Sequence, residues 1–325
     1  HDDGLIVKVL VGGILGSVKS VSVKGYTVNL PFLTEKDKDD ILFAVQNNIT
    51  MVAASFVRSK QDIRELRSFL IRHKADMMII SKIEHASAVQ NIDDIIDESD
   101  GIMVARGDLG VEVPFDQVPL IQKNLVNKCI QRSKPVIIAT QMMESMITNF
   151  RPTRAEANDV GNAVLDGADA LMLSGETSVG KYPVGVVRSM QKIIDATEAG
   201  YDYYRNNPPR EFTRTFLADS ICYSACRMAE QTKAKAIITY TYSGYTALRI
   251  ASHRPGAFIF AFTDNRRVIR KLSMVWGIRS YYAESFKSID EYIVESVRML
   301  KELDLLQDDD VVIHVGSSPT NERGR

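Results

Sequence analysis

Residues 101–110 read Gly-Ile-Met-Val-Ala-Arg-Gly-Asp-Leu-Gly, a short apolar run that ends abruptly in charge and glycine. Longer stretches with helical spacing lie between runs of this kind, as at residues 60–73, where apolar residues recur at every third or fourth position. The four other apolar, β-branched runs lie at residues 51–56, 77–83, 136–140 and 170–173. This alternation predicts parallel strands joined by crossover helices, and the near-continuous apolar runs predict strands buried on both faces.

The composition is typical of a globular protein. The 325 residues include 40 Lys+Arg and 41 Asp+Glu, and 45% of them are hydrophobic. These values exclude a disordered chain and a generally basic protein that coats nucleic acid. No run reaches the roughly 18 apolar residues of a membrane span, and the first residues show no export signal. We therefore expect neither a membrane nor a nucleic-acid partner.

The cysteines predict a reducing, cytoplasmic environment. Only Cys129, Cys222 and Cys226 occur, which is an odd and sparse set without CxxC spacing. Such a set argues against a disulfide framework and against a zinc site. Cys222 and Cys226 lie four residues apart, and this spacing places them on one face of a helix.

Local signals divide the chain into three regions. Thr153 and Glu156 form a capping box that predicts the start of a helix, and Gly167 predicts its end. A polar stretch with two adjacent prolines at residues 201–214 predicts a domain boundary. We expect a β-rich piece at residues 1–31, an α/β domain at residues 32–200 and a smaller α/β domain at residues 201–325.

Further elements are predicted in each region. Residues 5–11 and 17–29 alternate apolar and polar residues, which is typical of antiparallel strands. A long helix is predicted at residues 184–198. The smaller domain is expected to contain helices at residues 217–233 and 289–303, a helix after Gly244, and strands at residues 236–240, 258–262, 280–282 and 311–315.

Polar side chains follow each of the five predicted strands of the α/β domain at residues 32–200. In parallel α/β folds, ligands bind beyond the carboxyl ends of the strands. One charged strand end indicates little, but five in succession indicate a site. The residues are Ser55 and Arg58, then Ser81, Lys82 and Glu84, then Arg106, Gly107 and Asp108, then Thr140 and Gln141, and finally Ser174, Gly175 and Glu176.

Two carboxylates and a lysine are the strongest candidates for chemistry. Lys82 and Glu84 lie two apart on a strand, so their side chains leave the same face, and a surface salt bridge is the alternative interpretation. Glu84 and Asp108 could share one hard cation, because Mg²⁺ is commonly held by one or two carboxylates plus substrate oxygens. Asp108 would serve equally well as a helix cap. The neighbouring glycines leave backbone amides that could hold a carboxylate or phosphate.

Five motifs together resemble the pyruvate kinase family, in the family's order and spacing. They are residues 79–84 (Ile-Ile-Ser-Lys-Ile-Glu), 101–110, 139–146 (Ala-Thr-Gln-Met-Met-Glu-Ser-Met), 151–156 (Arg-Pro-Thr-Arg-Ala-Glu) and 171–177 (Leu-Met-Leu-Ser-Gly-Glu-Thr). The resemblance covers nearly the whole chain. It implies an α/β fold built on a TIM (β/α)8 barrel, with five of the eight strands in this chain, a remnant of an inserted β-rich lid domain and a C-terminal α/β domain.

The resemblance also implies a glycolytic reaction, phosphoryl transfer from phosphoenolpyruvate to ADP, which gives pyruvate and ATP. Lys82 would neutralise charge on the transferring phosphoryl group and on the enolate. Glu84 and Asp108 would hold Mg²⁺ or Mn²⁺, and K⁺ is expected with its ligands outside this chain. The family's assembly implies a homotetramer.

The implied substrate contacts lie at the same strand tips. Ser174 and Glu176 would belong to a chain of hydroxyls and waters that delivers a proton to the enolate carbon, so they join Lys82 and Thr140 as catalytic candidates. The backbone amides of Gly107 and Asp108 would bind the substrate carboxylate. The full substrate-binding set is Lys82, Ala105, Arg106, Gly107, Asp108 and Thr140. In the smaller domain, a phosphate-binding effector loop or a structural turn would be formed by Thr241, Ser243, Gly244 and Thr246.

Parts of the family's pattern are absent or changed. The family's first three barrel strands and the outgoing half of its lid domain cannot be assigned. We therefore expect either that the natural protein has further residues, or that this chain is inactive alone and assembles with partners. Ser20, Ser22 and Lys24 replace the family's Gly, Asn and Pro, and Tyr242 stands where a lysine is common. Trp276 is expected to pack rather than to bind a ligand.

Two alternative functions remain open at this point. A magnesium-dependent barrel that acts on pyruvate or phosphoenolpyruvate as a lyase or aldolase would also pair a Glu and an Asp at strand tips. A truncated, inactive subunit with an assembly or regulatory role is the alternative outside catalysis. The spacing of Lys82 and Glu84 and the C-terminal domain favour the kinase.

Overall fold

Strict sequential pairing of parallel strands organises the first part of the chain. The computed structural model describes residues 7–14, 16–17, 31–200, 208–209, 213–284 and 288–316. Five strands pair in chain order, each parallel to the next. They are β1 (Met51–Ala54), β2 (Met78–Ile83), β3 (Gly101–Ala105), β4 (Val136–Ala139) and β5 (Ala170–Met172). Each strand lies within two residues of its predicted limits, which for β3 are residues 102–105, and these predictions are confirmed.

Helices connect the strands and cover one face of the sheet. They are α1 (Glu35–Gln46), α2 (Lys60–Arg72), α3 (Ala86–Gln90), α4 (Ile92–Glu98), α5 (Arg106–Glu112), α6 (Val118–Gln131), α7 (Arg154–Asp166), α8 (Gly175–Ser178) and α9 (Pro183–Ala199), with a 3₁₀ turn at Glu144–Ile147. The helix-facing side of the sheet buries Ile79, Ile83, Ile102, Val104 and Ile138. The opposite side buries Met78, Ile80, Met103, Ile137 and Ala139. Parallel strands that are apolar on both faces are typical of α/β folds whose sheet is covered on both sides, so the predicted α/β class is confirmed.

Side-chain caps determine where several helices begin. Thr34, Ser59 and Thr153 each accept a hydrogen bond from the first turn of a helix, and an acidic side chain of that turn bonds back to the N–H of the cap. This arrangement satisfies donors that a helix N-terminus leaves unpaired. The box predicted at Thr153 and Glu156 is confirmed, as is the end of α7 at Gly167, whose φ of 95° is left-handed.

A second parallel sheet forms in the C-terminal part of the chain, and its spatial order is β8-β7-β6-β9. Its strands are β6 (Ala236–Tyr240), β7 (Phe258–Thr263), β8 (Ile278–Tyr282) and β9 (Val312–Val315), and its helices are α10 (Phe216–Thr232), α11 (Tyr245–Ser252), α12 (Arg266–Leu272) and α13 (Ile289–Glu302). The four predicted strands and the predicted helices are confirmed, whereas α12 was not predicted. In the part of the chain that the structure describes, no helix combines the length and the apolar character needed to cross a bilayer.

The predicted cysteine face of α10 is confirmed. Cys222 and Cys226 are each 2% exposed and pack in the core of the second sheet. Burial raises the pKa of both thiols, to about 12 for Cys222. Neither side chain is therefore a reactive thiolate near neutral pH.

The N-terminal strand prediction is wrong in its described part. Residues 7–11 form no strand, although their alternation predicted one at residues 5–11. Their apolar side chains are largely exposed, because no strand among the described residues pairs with them and no core covers them. Outside the described residues lie residues 18–29, with Ser20, Ser22 and Lys24, and most of residues 201–214.

The C-terminal part packs against the end of the first sheet at which the strands begin. Asp169, just before β5, accepts hydrogen bonds from the buried guanidinium of Arg254 (3.1 Å) and from the Trp276 N–H (3.2 Å). Arg254 also donates to the Gly167 carbonyl (2.6 Å), and the Trp276 indole donates to Glu198 (2.8 Å). Trp276 therefore packs between the two parts, in agreement with its predicted role. The carboxyl ends of the five strands lie at the other end of the sheet.

A partly buried histidine makes the C-terminal sheet sensitive to acid. His314 on β9 pairs with Ile238 of β6, and its ring centroid lies 5.5 Å from that of Tyr292. Burial lowers the pKa of His314 from its usual value of 6.5. In the unfolded chain, His314 therefore binds a proton as the pH falls through 6.5. In the folded chain, His314 stays neutral until the pH reaches its lowered pKa. Over that range, acid lowers the free energy of unfolding.

We expect His314→Phe to remove this pH dependence. Between about pH 8 and about pH 5, the thermal unfolding midpoint of the native protein should fall further than that of the variant when both are measured by calorimetry. His73→Phe is the matched control, because His73 is exposed and should leave the native slope unchanged. Equal slopes for the native protein and His314→Phe would contradict the assignment.

Candidate active site

Lys82 and Glu84 meet at the carboxyl end of β2. The Lys82 Nζ lies 2.5 Å from the Glu84 Oε1 and donates to the Ser55 Oγ at 2.8 Å. The two side chains therefore leave the same face of the strand, as their spacing predicted. The side chain of Glu84 is only 3% exposed and that of Lys82 is 23% exposed. The pair is thus largely enclosed by protein and is not a surface salt bridge.

The second oxygen of Glu84 is held by the residues that follow β1. Glu84 Oε2 accepts a hydrogen bond from the Phe56 N–H at 2.7 Å. Phe56 has a left-handed backbone with a φ of 57°, which is uncommon for a bulky residue. A buried carboxylate is stable when it is paired and hydrogen-bonded. Here the Lys82 ammonium group contacts one oxygen of Glu84, and the Phe56 N–H donates to the other. Backbone strain of this kind is concentrated at functional sites.

Asp108 lies at the neighbouring strand tip, in the first turn of α5. Parallel pairing places Ile83 beside Val104, so β2 and β3 end at the same level. Asp108 is exposed and forms no hydrogen bond or ion pair with the other described residues. Of the two predicted metal ligands, Glu84 is therefore buried and bonded, whereas Asp108 is open.

The two carboxylates suit a hard cation that has open coordination positions. Among the described residues, no group of three or more His, Cys, Asp or Glu is arranged to hold a metal ion. A cation at Glu84 and Asp108 would therefore take further oxygens from a ligand or water. This is the usual pattern for Mg²⁺ that is bound together with phosphates.

The tip of β4 is strained and bonded to the tip of β3. Thr140 and Gln141 both have left-handed backbones, with φ of 66° and 56°. Thr140 Oγ1 accepts a hydrogen bond from the Gly107 N–H (2.8 Å) and donates to the Ala139 carbonyl (2.7 Å). The structure thus joins two of the predicted substrate-binding residues. A bound carboxylate would have to take over the Gly107 N–H from the threonine hydroxyl.

Arg106 lies at the tip of β3, but its guanidinium is bound to protein groups. It donates to the Asp159 Oδ1 (2.8 Å), to the Thr140 carbonyl (2.9 Å) and to the Gln141 carbonyl (3.2 Å). The Gln122 Oε1 lies 3.4 Å from the same side chain. These partners are distant in the chain, and no local sequence signal indicates them.

Glu176 connects the tips of β4 and β5. Its carboxylate accepts hydrogen bonds from the Ser174 N–H (2.7 Å) and from the Met143 N–H (3.2 Å). Glu176 is 3% exposed, whereas Ser174 is exposed. The two predicted proton-relay residues therefore lie at one strand tip, and Glu176 is the one that is anchored in the interior.

A second carboxylate supports the same loop, and sequence reasoning did not include it in the site. Glu156 accepts hydrogen bonds from the Ser145 N–H (2.7 Å) and the Ser145 hydroxyl (2.6 Å) while it caps α7. Burial raises the pKa of Glu156, but the hydrogen bonds from Ser145 and Thr153 outweigh burial and lower the pKa overall. A signal for this contact existed, because Ser145 and Glu156 both belong to the runs that carry the family resemblance.

The hydroxyls of the predicted effector loop are hydrogen-bonded within their own turn. Thr241 Oγ1 accepts from the Gly244 N–H (2.9 Å), and Ser243 Oγ accepts from the Tyr245 N–H (3.4 Å). Gly244 has a φ of 90°, which only glycine adopts readily, and Thr246 lies in the first turn of α11. The residues form an ordered turn between β6 and α11, and phosphate binding there stays a prediction.

Two family models match the chain. The model described as pyruvate kinase, barrel domain, matches residues 1–187, and the model described as pyruvate kinase, alpha/beta domain, matches residues 219–325. Pyruvate kinases of Sporosarcina psychrophila and Geobacillus stearothermophilus are each 45% identical to this chain, over 324 and 322 residues. These alignments cover 99% and 98% of this chain and 55% of each relative, so the chain spans little more than half the length of these proteins.

A solved structure is similar in fold as well. A crystal structure of a pyruvate kinase from Cryptosporidium parvum superposes with a TM-score of 0.87 at 38% sequence identity. The match covers 93% of this chain and 63% of that one. These findings favour the kinase over the lyase or aldolase alternative.

Glu176→Leu should destabilise the protein, because it leaves the Met143 and Ser174 N–H groups without their acceptor. A buried donor left unpaired costs about 1–3 kcal/mol, and we expect the free energy of unfolding in urea to fall by at least that amount. Glu144→Leu is the matched control, because Glu144 lies on the same loop and is exposed. Similar stabilities for the two variants would show that Glu176 does not hold the loop.

Proposed function

The chain belongs to the pyruvate kinase family, and we propose that its strand tips form the site at which that family transfers a phosphoryl group. In this reaction phosphoenolpyruvate donates its phosphoryl group to ADP, and pyruvate and ATP are formed. The observation that carries the proposal is the enclosed Lys82–Glu84 pair at the end of β2, next to the strand tip that bears Asp108.

Lys82 is suited to neutralise the negative charge of the reacting groups. Phosphoryl transfer depends on positioning and charge compensation more than on covalent help from the protein. An ammonium group has three N–H donors, and two of those of Lys82 are directed at Ser55 and Glu84. The third is available to a phosphoryl oxygen and, after transfer, to the enolate oxygen. Since Lys82 is mostly enclosed, its charge is weakly screened by water.

Glu84 and Asp108 are proposed to hold Mg²⁺ or Mn²⁺. Both present hard carboxylate oxygens, and Asp108 has no competing partner among the described residues. When bound, the cation supplies positive charge to phosphate and enolate oxygens. The Phe56 N–H keeps one oxygen of Glu84 oriented, so that the other faces Lys82 and the ligand. K⁺ is proposed as a second cation whose ligands are not in this chain.

The remaining strand-tip residues are proposed to orient the substrate and move a proton. The amides of Gly107 and Asp108, together with Thr140, would receive the carboxylate of phosphoenolpyruvate. Thr140 already contacts Gly107, which supports their common assignment. Ser174 and Glu176 would deliver a proton to the enolate carbon through hydroxyls and water.

We also propose an assembly, a compartment and domain roles for the protein. We propose a homotetramer in the cytoplasm, with residues 1–31 as lid remnant, residues 32–200 as catalytic domain and residues 201–325 as a regulatory α/β domain. Three buried thiols agree with a reducing compartment. Light scattering of the purified protein measures the number of subunits directly.

Lys82→Met should abolish pyruvate formation and leave the fold intact. Removal of one group that stabilises developing charge costs about 2.7–4 kcal/mol of barrier, and Lys82 is proposed to serve both the phosphoryl group and the enolate. The measurement is pyruvate release from phosphoenolpyruvate and ADP, with circular dichroism to check folding. Lys60→Met is the matched control, because Lys60 is a half-exposed lysine of α2 that pairs only with Asp94 in the described residues.

The same assay separates the alternatives. ATP formation from phosphoenolpyruvate and ADP would support the kinase over a lyase or aldolase, and unchanged turnover in Lys82→Met would contradict the assigned role. If the native chain shows no turnover, calorimetric titration with Mg²⁺ and phosphoenolpyruvate decides between the remaining candidates. Absence of binding would indicate an inactive subunit.

Glu84→Gln and Asp108→Asn should each weaken divalent-cation binding. Loss of a group that merely supports a metal ligand costs about 10–100-fold in affinity, and loss of a ligand should cost at least as much. Titration of Mn²⁺ followed by electron paramagnetic resonance measures the affinity in the presence of phosphoenolpyruvate. Asp94→Asn, on the surface of α4, should bind Mn²⁺ as the native protein does. Native affinity in either site variant would remove that residue from the metal site.

A further inference from the structure

We propose that Arg106 is a positioning residue that holds the strained tip of β4 and thereby fixes the hydroxyl of Thr140. The inference rests on the proposed function, because that function assigns Thr140 and Gly107 to the substrate. It replaces the expectation that the Arg106 side chain binds substrate itself. The guanidinium is 11% exposed, and its hydrogen bonds go to protein groups on three other segments.

The residue types at the β4 tip do not favour its backbone conformation. Thr140 and Gln141 have φ of 66° and 56°, and neither is glycine. Left-handed backbones are disfavoured for L-residues because the Cβ atom crowds the following carbonyl, and threonine is β-branched. Such a conformation persists only where the surroundings over-determine it. An external group must therefore stabilise this turn.

Arg106 supplies that group through one nitrogen. Its Nη2 donates to the Thr140 carbonyl (2.9 Å) and to the Gln141 carbonyl (3.2 Å), which are the carbonyls of the two left-handed residues. Hydrogen bonds from an ionised donor are stronger than those between neutral groups. The left-handed pair is thus bound at both of its carbonyls by a single side chain.

The other side of the guanidinium is anchored to helices. Nη1 donates to Asp159 on α7 (2.8 Å) and lies 3.4 Å from the Gln122 Oε1 on α6. Because a guanidinium is planar and rigid, this anchoring sets the position of the turn relative to both helices. The position of this turn places the Thr140 Oγ1 at 2.8 Å from the backbone nitrogen of Gly107. Arg106 therefore acts on the proposed substrate contact without touching it.

Amide hydrogen exchange of the full chain tests whether Arg106 positions Thr140, without any assumption about activity. Gly107 lies in the first turn of α5, where an N–H has no intrahelical acceptor, so its protection reports the bond to Thr140. Arg106→Met should lose this protection to the extent that Thr140→Val does. Arg106→Lys keeps the positive charge but not the planar guanidinium group, and it should lose part of the Gly107 protection. This variant replaces Arg106→Met in the experiment if the methionine variant does not fold. Arg132→Met, an arginine of similar pairing far from the tips, should keep native protection.

A compensating glycine distinguishes positioning of the turn from general support of the fold. Glycine adopts left-handed backbones readily, so adding Gln141→Gly to Arg106→Met should restore protection of Gly107 and part of the turnover. Arg106→Met alone should lower turnover by about 10²-fold, which is the effect of a displacement of about 1 Å at a reacting group. A purely structural role of Arg106 would not be rescued at position 141.

Each outcome decides the proposal. Loss of Gly107 protection in Arg106→Met, with recovery in the double variant, supports it. Native protection in Arg106→Met, or loss without recovery, overturns it. If the native chain neither turns over nor binds phosphoenolpyruvate while the exchange pattern is as expected, the proposed function fails and the positioning of Thr140 by Arg106 stands.

Discussion

Parallel pairing in strict chain order is the constraint on which the rest of the structure depends. Because β1–β5 run in one direction and pair in a continuous register, their carboxyl ends reach one edge of the sheet. The proposed site consists of residues at those ends. A slip of one residue in β2 would turn Lys82 and Glu84 toward the helices and remove them from the site. The C-terminal part leaves this edge open, because it packs where the strands begin.

The strained backbones after β1 and β4 are each held by a side chain from another strand tip. Glu84 at the end of β2 binds the left-handed Phe56 that follows β1. Arg106 after β3 binds the left-handed pair after β4, and Glu176 after β5 binds the Met143 amide of the same loop. Such strain is stable only because several elements converge on it. These contacts connect the tips of β1 and β2 and, in a second set, the tips of β3, β4 and β5.

Local patterns predicted most of the described fold, and the reason is that its elements are locally determined. The apolar runs, the capping box at Thr153 and the terminal Gly167 are short-range signals, and all were confirmed. The common face of Lys82 and Glu84 follows from the twofold repeat of a strand. The strand predicted at residues 5–11 was wrong at residues 7–11, because alternation alone cannot supply a pairing partner.

The side-chain partners within the site could not be predicted in this way. Arg106 and Asp159 are 53 residues apart, and Glu176 and Met143 are 33 apart. Such contacts depend on which helices and loops the sheet brings together, and not on local spacing. The left-handed backbone of Thr140 could not be predicted from the sequence either, because threonine usually avoids that conformation. Composition and periodicity indicated where the site lies, but only the folded chain shows which groups hold it in place.

The proposed metal site requires Glu84 and Asp108 to share one divalent cation beside the ammonium group of Lys82. Anomalous diffraction from crystals grown with Mn²⁺ and phosphoenolpyruvate tests it most directly. We expect one metal peak within inner-sphere distance, about 2.1 Å for an ion of this class, of an oxygen of each carboxylate, with Lys82 on the phosphate of the substrate. A peak bound by only one of the two carboxylates, or one located elsewhere while substrate occupies the strand tips, would contradict it.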